Sequence, residues 1–287
     1  MTQAITVSTA AFDGYELSEI LASLARCHVH AVEIAFIKGY VNEFTDADLN
    51  TAYAREIGAE LTRQGQYCPV FSGHIDLGLD GALSSFAVRA RFASELGARH
   101  LITNSASRQN ATRFFELAPE MAAIARDAGL RICLENPGDG SDNLFNDASD
   151  ITPLLERLDR DVFGINYDPG NVISHRPAFD PVEDAMAALP QASHLHLKPV
   201  TRDATGYVFD ALGTGDIDYV PILTAVAERG STLPFSLELP FRLRRDEQAQ
   251  PHKLPSRVPL EDIEEGITSS LSYVSHHLSG QATSKES

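Results

Sequence analysis

The chain has 287 residues, of which 43% are hydrophobic and 22% charged, and its 40 acidic against 23 basic side chains give a formal net charge of −17. Such a charge repels the phosphate backbone of nucleic acids, and no apolar run approaches the roughly 18 residues that cross a bilayer. We therefore expect a small-molecule substrate, with neither nucleic acid nor a membrane as partner. The N-terminus does not have the pattern of a signal peptide, which favours a cytoplasmic location.

Short apolar or β-branched runs alternate with longer amphipathic stretches. Strand-like runs fall near 4–9, 30–36, 68–75, 99–104, 130–135, 162–168, 193–198 and 233–239. Helix-like stretches fall near 16–26, 46–64, 82–96, 111–128, 150–158, 181–189, 217–229 and 260–277. This alternation is typical of βα units around a parallel sheet. It predicts a single α/β domain, a (β/α)₈ TIM barrel over residues 1–278, because such barrels need about 250 residues. The polar residues 279–287 are expected to form a disordered tail.

An open doubly wound sheet is the competing architecture, because it is built from the same alternation of strands and helices. That fold carries a Gly-x-Gly-x-x-Gly fingerprint after its first strand, and no such string follows the first predicted strand here. The run Gly213-Thr214-Gly215 comes late in the chain and before a helix. The barrel is therefore favoured.

Ionisable side chains stand at the ends of the last four predicted strands. Glu135 ends the fifth, Asp168 the sixth and Glu238 the eighth, while His196 lies in the seventh, at 194–198. Barrel enzymes carry their reacting groups at the C-terminal ends of strands, so adjacent strands would bring these side chains together. Converging carboxylates repel one another unless a cation lies between them. We predict that the four residues bind one divalent cation, Mn²⁺ first and Mg²⁺ or Co²⁺ as alternatives. Any one of them alone would instead suggest a helix cap or a salt bridge.

Several strings of the chain resemble the xylose-isomerase-like barrel superfamily, the sugar phosphate isomerase/epimerase group. The resemblance covers nearly the whole chain and rests on the combination of the strings at 134–136, 168–171, 194–198, 212–218 and 237–238. It implies that Glu135, Asp168, His196 and Glu238 bind one metal ion. In the ketose 3-epimerases of the group the two matching glutamates also act as acid and base, which falls here on Glu135 and Glu238. The group commonly forms dimers or tetramers, so a homo-oligomer is expected.

The chemistry of such a site is proton transfer beside a carbonyl. A cation that holds a carbonyl and the neighbouring hydroxyl acidifies the intervening C–H and stabilises the enediolate that forms. One glutamate removes the proton, and the other returns a proton to the same carbon or to its neighbour. The expected function is a divalent-metal-dependent isomerase or epimerase acting on a sugar or keto-sugar derivative, with Glu135 and Glu238 as its catalytic residues.

Other functions remain open because the resembling group contains more than one chemistry. A lyase that dehydrates a keto-polyol, of the inosose or dehydroshikimate type, is the main alternative. Cleavage of abasic DNA is less favoured, because such enzymes need three zinc ions and carry histidines where this chain has Asn104 and Asn171. A barrel subunit without catalysis is the remaining possibility.

Four further residues are predicted to contact the substrate. His74 ends the third strand, Asn104 the fourth and Lys198 the seventh. Arg202 lies six residues after His196, which is the offset of a substrate-binding arginine in the resembling 3-epimerases. A structural histidine is the alternative for His74, and an ion pair with a site glutamate is the alternative for Lys198.

The chain departs from the epimerase pattern near the predicted metal ligands. Ser141 stands where those enzymes have a glutamate, Asn171 where they have a histidine, and Pro199 where the group usually has an aspartate. The segment 241–259 carries five basic and two acidic side chains. We interpret it as a solvated loop, with an anion site, a lid or an oligomer contact as alternatives.

Overall fold

The computed structural model describes residues 5–228 and 233–279 of the chain. Its strands are β1 Thr6–Ser8, β2 Ala31–Ala35, β3 Tyr67–Ser72, β4 His100–Asn104, β5 Arg131–Glu135, β6 Phe163–Tyr167, β7 Ala192–Leu197, β8 Val200–Asp203, β9 Gly206–Phe209, β10 Phe235–Leu237, β11 Leu243–Arg245 and β12 Pro251–Lys253. Its α-helices are α1 Leu17–Arg26, α2 Thr51–Arg63, α3 Ala82–Glu95, α4 Ala111–Asp127, α5 Ile151–Leu155, α6 Pro169–His175, α7 Pro181–Ala188, α8 Val220–Glu228 and α9 Leu260–Ser279.

Eight parallel strands close into a barrel in the order β1, β10, β7, β6, β5, β4, β3, β2. The predicted TIM barrel is therefore confirmed, and each predicted strand has its counterpart. The helix predicted from residue 46 begins instead at Thr51, because the side chain of Asn50 caps it by accepting from the backbone N–H of Tyr53 at 3.0 Å. Asp46 pairs with Arg89 of α3. The last residue of the helix predicted at 217–229 lies outside the described residues.

Strand register brings polar side chains to one end of the barrel. Asn104 is paired with Glu135 across β4 and β5, and Leu197 with Leu237 across β7 and β10. In β7, Leu195 and Leu197 belong to the main hydrophobic core. Alternation along a strand then directs the two histidines of β7 into the barrel. Below the site, His194 lies 2.8 Å from Oδ1 of Asn166 and 3.3 Å from the hydroxyl of Ser236.

A four-stranded antiparallel sheet, in the order β12, β11, β9, β8, follows the barrel strands β7 and β10. It has a small apolar cluster of its own, formed by Val200, Tyr207, Phe209 and Leu243. The interpretation of 241–259 as a solvated loop is therefore wrong, because this segment contains β11 and β12 and because Arg245 is buried. The short helix α6, which begins directly after Asp168, was not predicted either.

The C-terminal helix α9 packs on α8 and α1 and extends to Ser279. The tail predicted at 279–287 lies, apart from Ser279, outside the described residues. Within 5–228 and 233–279, none of the helices combines the length and the apolar character that a membrane span requires.

Candidate metal and substrate site

The four predicted metal ligands meet at the C-terminal end of the barrel. Glu135, Asp168, His196 and Glu238 are all buried, and each offers a ligand atom within 4.8 Å of those of the other three. Glu135 ends β5, Asp168 follows β6, His196 lies in β7 and Glu238 follows β10. These strands are consecutive around the barrel, so the parallel register delivers the four side chains to one point. We call this group the quartet.

Lys198 contributes a positive charge to the quartet. Its ammonium lies 2.6 Å from Oδ2 of Asp168 and 2.6 Å from Oε2 of Glu238. Neither contact has hydrogen-bond geometry, and among the described residues Oδ2 of Asp168 and Oε2 of both Glu135 and Glu238 have no hydrogen-bond donor. Lys198 lies beside two of these oxygens and Nε2 of His74 lies 2.6 Å from the third, so two basic side chains face three buried carboxylates, whose charge is costly unless further compensated. Three such oxygens beside one imidazole fit a divalent cation with oxygen-preferring chemistry.

Glu33, in the middle of β2, orients the histidine of the quartet and was missed by the sequence reasoning. Its Oε2 lies 3.1 Å from Nε2 of His196, and its Oε1 accepts from the hydroxyl of Ser72 at 2.9 Å. The other ring nitrogen of His196, Nδ1, faces Oε1 of Glu135 at 3.0 Å. A carboxylate on the outer nitrogen is the usual way to fix the tautomer and orientation of a metal-binding histidine.

Burial and charge oppose each other in the pKa values of the site. Burial alone would raise the pKa of Glu135, but His196 and His74 lower it well below its usual range. Burial likewise raises the pKa of Glu238, and Lys198 and His196 more than compensate, bringing it to about 2. Burial, with Glu135 and Glu238 nearby, raises the pKa of Asp168 to about 6 against the opposing effect of Lys198. Both site glutamates are therefore carboxylates at neutral pH.

A cavity of about 240 Å³ is lined by two members of the quartet, Glu135 and Glu238. His74 and Asn104 line it, and Nε2 of His74 lies 2.6 Å from Oε2 of Glu135. Lys198 also lines the cavity. Its ion pair with Glu238 is the alternative that the sequence suggested for this residue. A larger cavity, of about 730 Å³, lies beside α1 and α2 and includes none of the predicted site residues.

The structure does not bring Arg202 to the cavity. Arg202 is exposed on β8, where its guanidinium lies 5.9 Å from the centre of the Tyr207 ring. Another arginine, Arg245 of β11, lines the cavity and is 2% exposed. Of the departures from the epimerase pattern, Ser141 is exposed and donates to Asp139, whereas Asn171 lines the cavity.

The closed barrel and the quartet at its C-terminal end define a (β/α)₈ barrel with a candidate metal centre. The sequence matches the model of the xylose isomerase-like TIM barrel family over residues 21–256, and the chain belongs to this family. A comparison with curated protein sequences gave no significant match.

Solved structures with the same fold include three informative neighbours. D-psicose 3-epimerase from Clostridium cellulolyticum H10, solved with D-tagatose, has a TM-score of 0.74 at 14% identity, covering 96% of this chain and 99% of its own. The probable 3-DHS dehydratase from Bacillus anthracis has a TM-score of 0.67 at 15% identity, covering 92% and 97%. A xylose isomerase-like TIM barrel protein from Mycobacterium smegmatis, solved in complex with magnesium, has a TM-score of 0.68 at 18% identity, covering 96% and 98%. At these identities the likeness shows the fold.

Proposed function

We propose that the protein is a divalent-metal-dependent isomerase or epimerase acting on a sugar or keto-sugar derivative. The observation that carries this proposal is the buried quartet, in which three carboxylates and one imidazole converge and two of the carboxylates, Glu135 and Glu238, line a cavity. Glu135, Asp168, His196 and Glu238 would hold the cation, with Mn²⁺ as first choice and Mg²⁺ or Co²⁺ as alternatives. Family membership and the sugar epimerases among the structural neighbours support the same reading.

The proposed proton transfers use groups that are already charged. When bound, the cation supplies Lewis acidity to the substrate's carbonyl oxygen. Glu135 and Glu238 are both ionised at neutral pH, so either can accept a proton from carbon. His74 lies beside Glu135 and can pass the proton to or from a substrate oxygen, while Lys198 offsets the charge of Glu238. Asn104, at the end of β4, lies in reach of a substrate hydroxyl in the same cavity.

A lyase is the second candidate, and the contact between His74 and Glu135 favours it. Elimination removes a proton from the carbon beside the carbonyl and releases the neighbouring hydroxyl as water, so it needs a base and an acid close together. Glu135 and His74, 2.6 Å apart, provide such a pair on one side of the cavity. A structural neighbour described as a probable 3-DHS dehydratase supports this alternative.

Metal content and isotope exchange test the proposal together. We expect the wild type to retain a divalent cation after dialysis and to introduce solvent deuterium into a keto-sugar in D₂O. Deuterium in the unchanged or epimeric sugar supports the isomerase or epimerase, whereas a new ultraviolet-absorbing enone supports the lyase. Asp168→Asn removes one of the charges that hold the cation, so it should lose both metal and exchange.

Asp139→Asn is the matched control, since Asp139 lines the same cavity but hydrogen-bonds to Ser141 rather than to the quartet. This variant should keep its metal and its activity. Negligible metal in the wild type, or equal metal in Asp168→Asn and wild type, would contradict the proposal.

The assembly and location of the protein stay predictions. A homo-oligomer, a dimer or tetramer, is testable by sedimentation equilibrium, and a cytoplasmic location by fractionation. The small-molecule substrate and the absence of nucleic acid or membrane partners rest on the charge of −17 and on the cavity lined by Glu135 and Glu238.

A further inference from the structure

Arg245 is a buried cation, and among residues 5–228 and 233–279 it has no ion pair with a carboxylate. Its terminal nitrogens donate to the hydroxyl of Ser174 at 2.8 Å, the hydroxyl of Tyr40 at 2.9 Å and Oδ1 of Asn171 at 2.8 Å. All three acceptors are neutral. Its Nε is buried and has no acceptor among the described residues. A guanidinium has five N–H donors and cannot lose its charge in proteins, so part of its binding capacity is unused here.

The two carboxylates whose charges act on Arg245, Asp168 and Glu238, are engaged elsewhere. Burial would lower the pKa of Arg245, but Tyr40, together with Asp168 and Glu238 at longer range, raises it. Asp168 and Glu238 belong to the quartet and pair with Lys198. A cation bound to the quartet would neutralise them further. A buried charge is costly unless an opposite charge lies beside it. With a cation at the quartet, Arg245 has no such partner among the described residues, and a ligand can supply one.

The antiparallel sheet fixes the position of Arg245. The backbone of Arg245 in β11 packs so closely on the β8–β9 hairpin that a Cβ at Gly206 would lie 2.1 Å from its carbonyl oxygen. On the cavity side, a Cβ at Gly138 would lie 2.1 Å from one of its terminal nitrogens. The guanidinium also lies 5.3 Å from the centre of the Phe209 ring. The residues around Arg245 therefore form a rigid binding site, in contrast to the exposed Arg202.

The Arg245 site and the quartet face the same cavity and share one contact. Oδ1 of Asn171 accepts both from Arg245 at 2.8 Å and from Lys198 at 3.0 Å, so a single oxygen atom separates the two cations. Nδ2 of Asn171 donates to Oε1 of Glu135 at 3.3 Å. A small molecule with oxygens at the quartet can therefore reach Arg245 with its other end.

We propose that Arg245 binds a carboxylate at the end of the substrate opposite the reacting carbonyl, so that the substrate is a sugar acid rather than a neutral sugar. This inference rests on the proposed function. A carboxylate has two coplanar oxygens, which match two parallel N–H donors on one edge of a guanidinium. A dianionic phosphate is less suited, because the other cations lining the cavity are Lys198, which is already paired, and the exposed Lys38.

Paired ligands test the inference by calorimetry on the metal-loaded protein. Each pair is an aldose and the uronate in which a carboxylate replaces its terminal hydroxymethyl group, over a series of chain lengths, with the terminal sugar phosphate as a third ligand. The wild type should bind at least one uronate more tightly than its aldose. Arg245→Gln should weaken that uronate by about 10- to 100-fold, the range for hydrogen bonds to charged groups, and leave the aldose unchanged. Arg245→Lys should restore part of the loss.

Arg244→Gln is the matched control, because it removes the same charge from the neighbouring position of β11, where Arg244 donates, within the described part of the chain, to the backbone carbonyls of Phe241 and Leu243. It should change neither affinity. Equal binding of aldose and uronate by the wild type in every pair overturns the inference without any variant. So does uronate binding that survives Arg245→Gln, or a sugar phosphate that binds more tightly than the uronate. Arg245-dependent uronate binding without isotope exchange would uphold the inference and contradict the proposed function.

Discussion

The barrel strands and the antiparallel sheet both contribute side chains to one cavity, but they position these side chains in different ways. The quartet stands at the ends of consecutive parallel strands, whose register alone aligns Glu135 with its neighbours. Arg245 comes instead from a short strand that pairs with β9 and β12 and depends on a tight hairpin for its position. We thus propose that the barrel end supplies the groups for a cation and a proton transfer, and that the added sheet supplies the group for a substrate carboxylate.

The largest effect should come from a change within the quartet that leaves the sheet untouched. Glu238→Gln keeps the shape of the side chain but removes its charge and its ability to accept a proton. We expect deuterium exchange into the sugar to fall by about 10²- to 10⁴-fold, the usual contribution of a general acid or base. Once this variant is loaded with metal, it should still bind the uronate through Arg245. Unchanged exchange would exclude Glu238 as a catalytic residue.

Removing the charge of Glu33 tests how far the barrel itself positions the quartet. Glu33→Gln should weaken metal binding by about 10- to 100-fold, because the carboxylate on Nε2 no longer polarises His196. Competition with a chromogenic chelator measures this affinity directly. Ser72→Ala, which removes only the other partner of Glu33, should have a smaller effect. Equal affinities in wild type and Glu33→Gln would mean that the contact has no role in metal binding.

A third change disturbs the sheet and spares the barrel. Gly206→Ala places a Cβ against the carbonyl oxygen of Arg245 at a residue whose φ is +134°, so the free energy of unfolding should fall by about 1–3 kcal/mol. Urea denaturation measures the loss. Gly97→Ala, also at a positive φ but with no atom near its Cβ, is the control and should cost less. If Gly206→Ala loses metal but keeps uronate binding, the assignment of metal binding to the barrel and of carboxylate binding to the sheet is wrong.

The smallest effect concerns α6, which connects the two regions. Burial, with Arg176 nearby, lowers the pKa of His175 to about 4 from 6.5. The unfolded chain therefore binds a proton that the folded protein does not, and the wild type should lose stability as the pH falls from 6.5 towards 4. His175→Gln removes this titration, so over that pH range its loss should be smaller, by on the order of 1 kcal/mol. If the free energies of unfolding of wild type and His175→Gln change in parallel over this pH range, the lowered pKa of His175 is contradicted.

The quartet could be predicted because three of its members stand where an apolar run ends and the fourth, His196, lies near the end of the strand between two of them. Glu135, Asp168 and Glu238 interrupt strand-like sequences at barrel spacing, and parallel pairing leaves little choice about where such residues go. Glu33 carried a weaker signal, a charge inside the apolar run Ala31–Ala35. A carboxylate in the middle of a buried strand needs a partner, but nothing in the sequence identifies that partner as His196.

The sheet could not be predicted, because its strands are three or four residues long and show no periodicity. Arg202 and Arg245 look alike in the sequence, each as a basic residue beyond the end of a barrel strand. Tertiary pairing separates them: Arg202 is exposed on β8, while Arg245 is buried on β11. An offset taken from related enzymes selected the exposed arginine, since a loop offset carries no information about burial.

Asn171 ties the two regions together through the two ends of one amide. Its oxygen accepts from Lys198 and Arg245, and its nitrogen donates to Glu135, so the side chain has a single satisfied orientation. A ligand at the quartet therefore changes the electrostatic field at Arg245, and a ligand at Arg245 changes the field at the quartet. We therefore expect a cation at the quartet and a sugar acid at Arg245 to bind cooperatively, and by thermodynamic reciprocity each should raise the affinity for the other by the same factor.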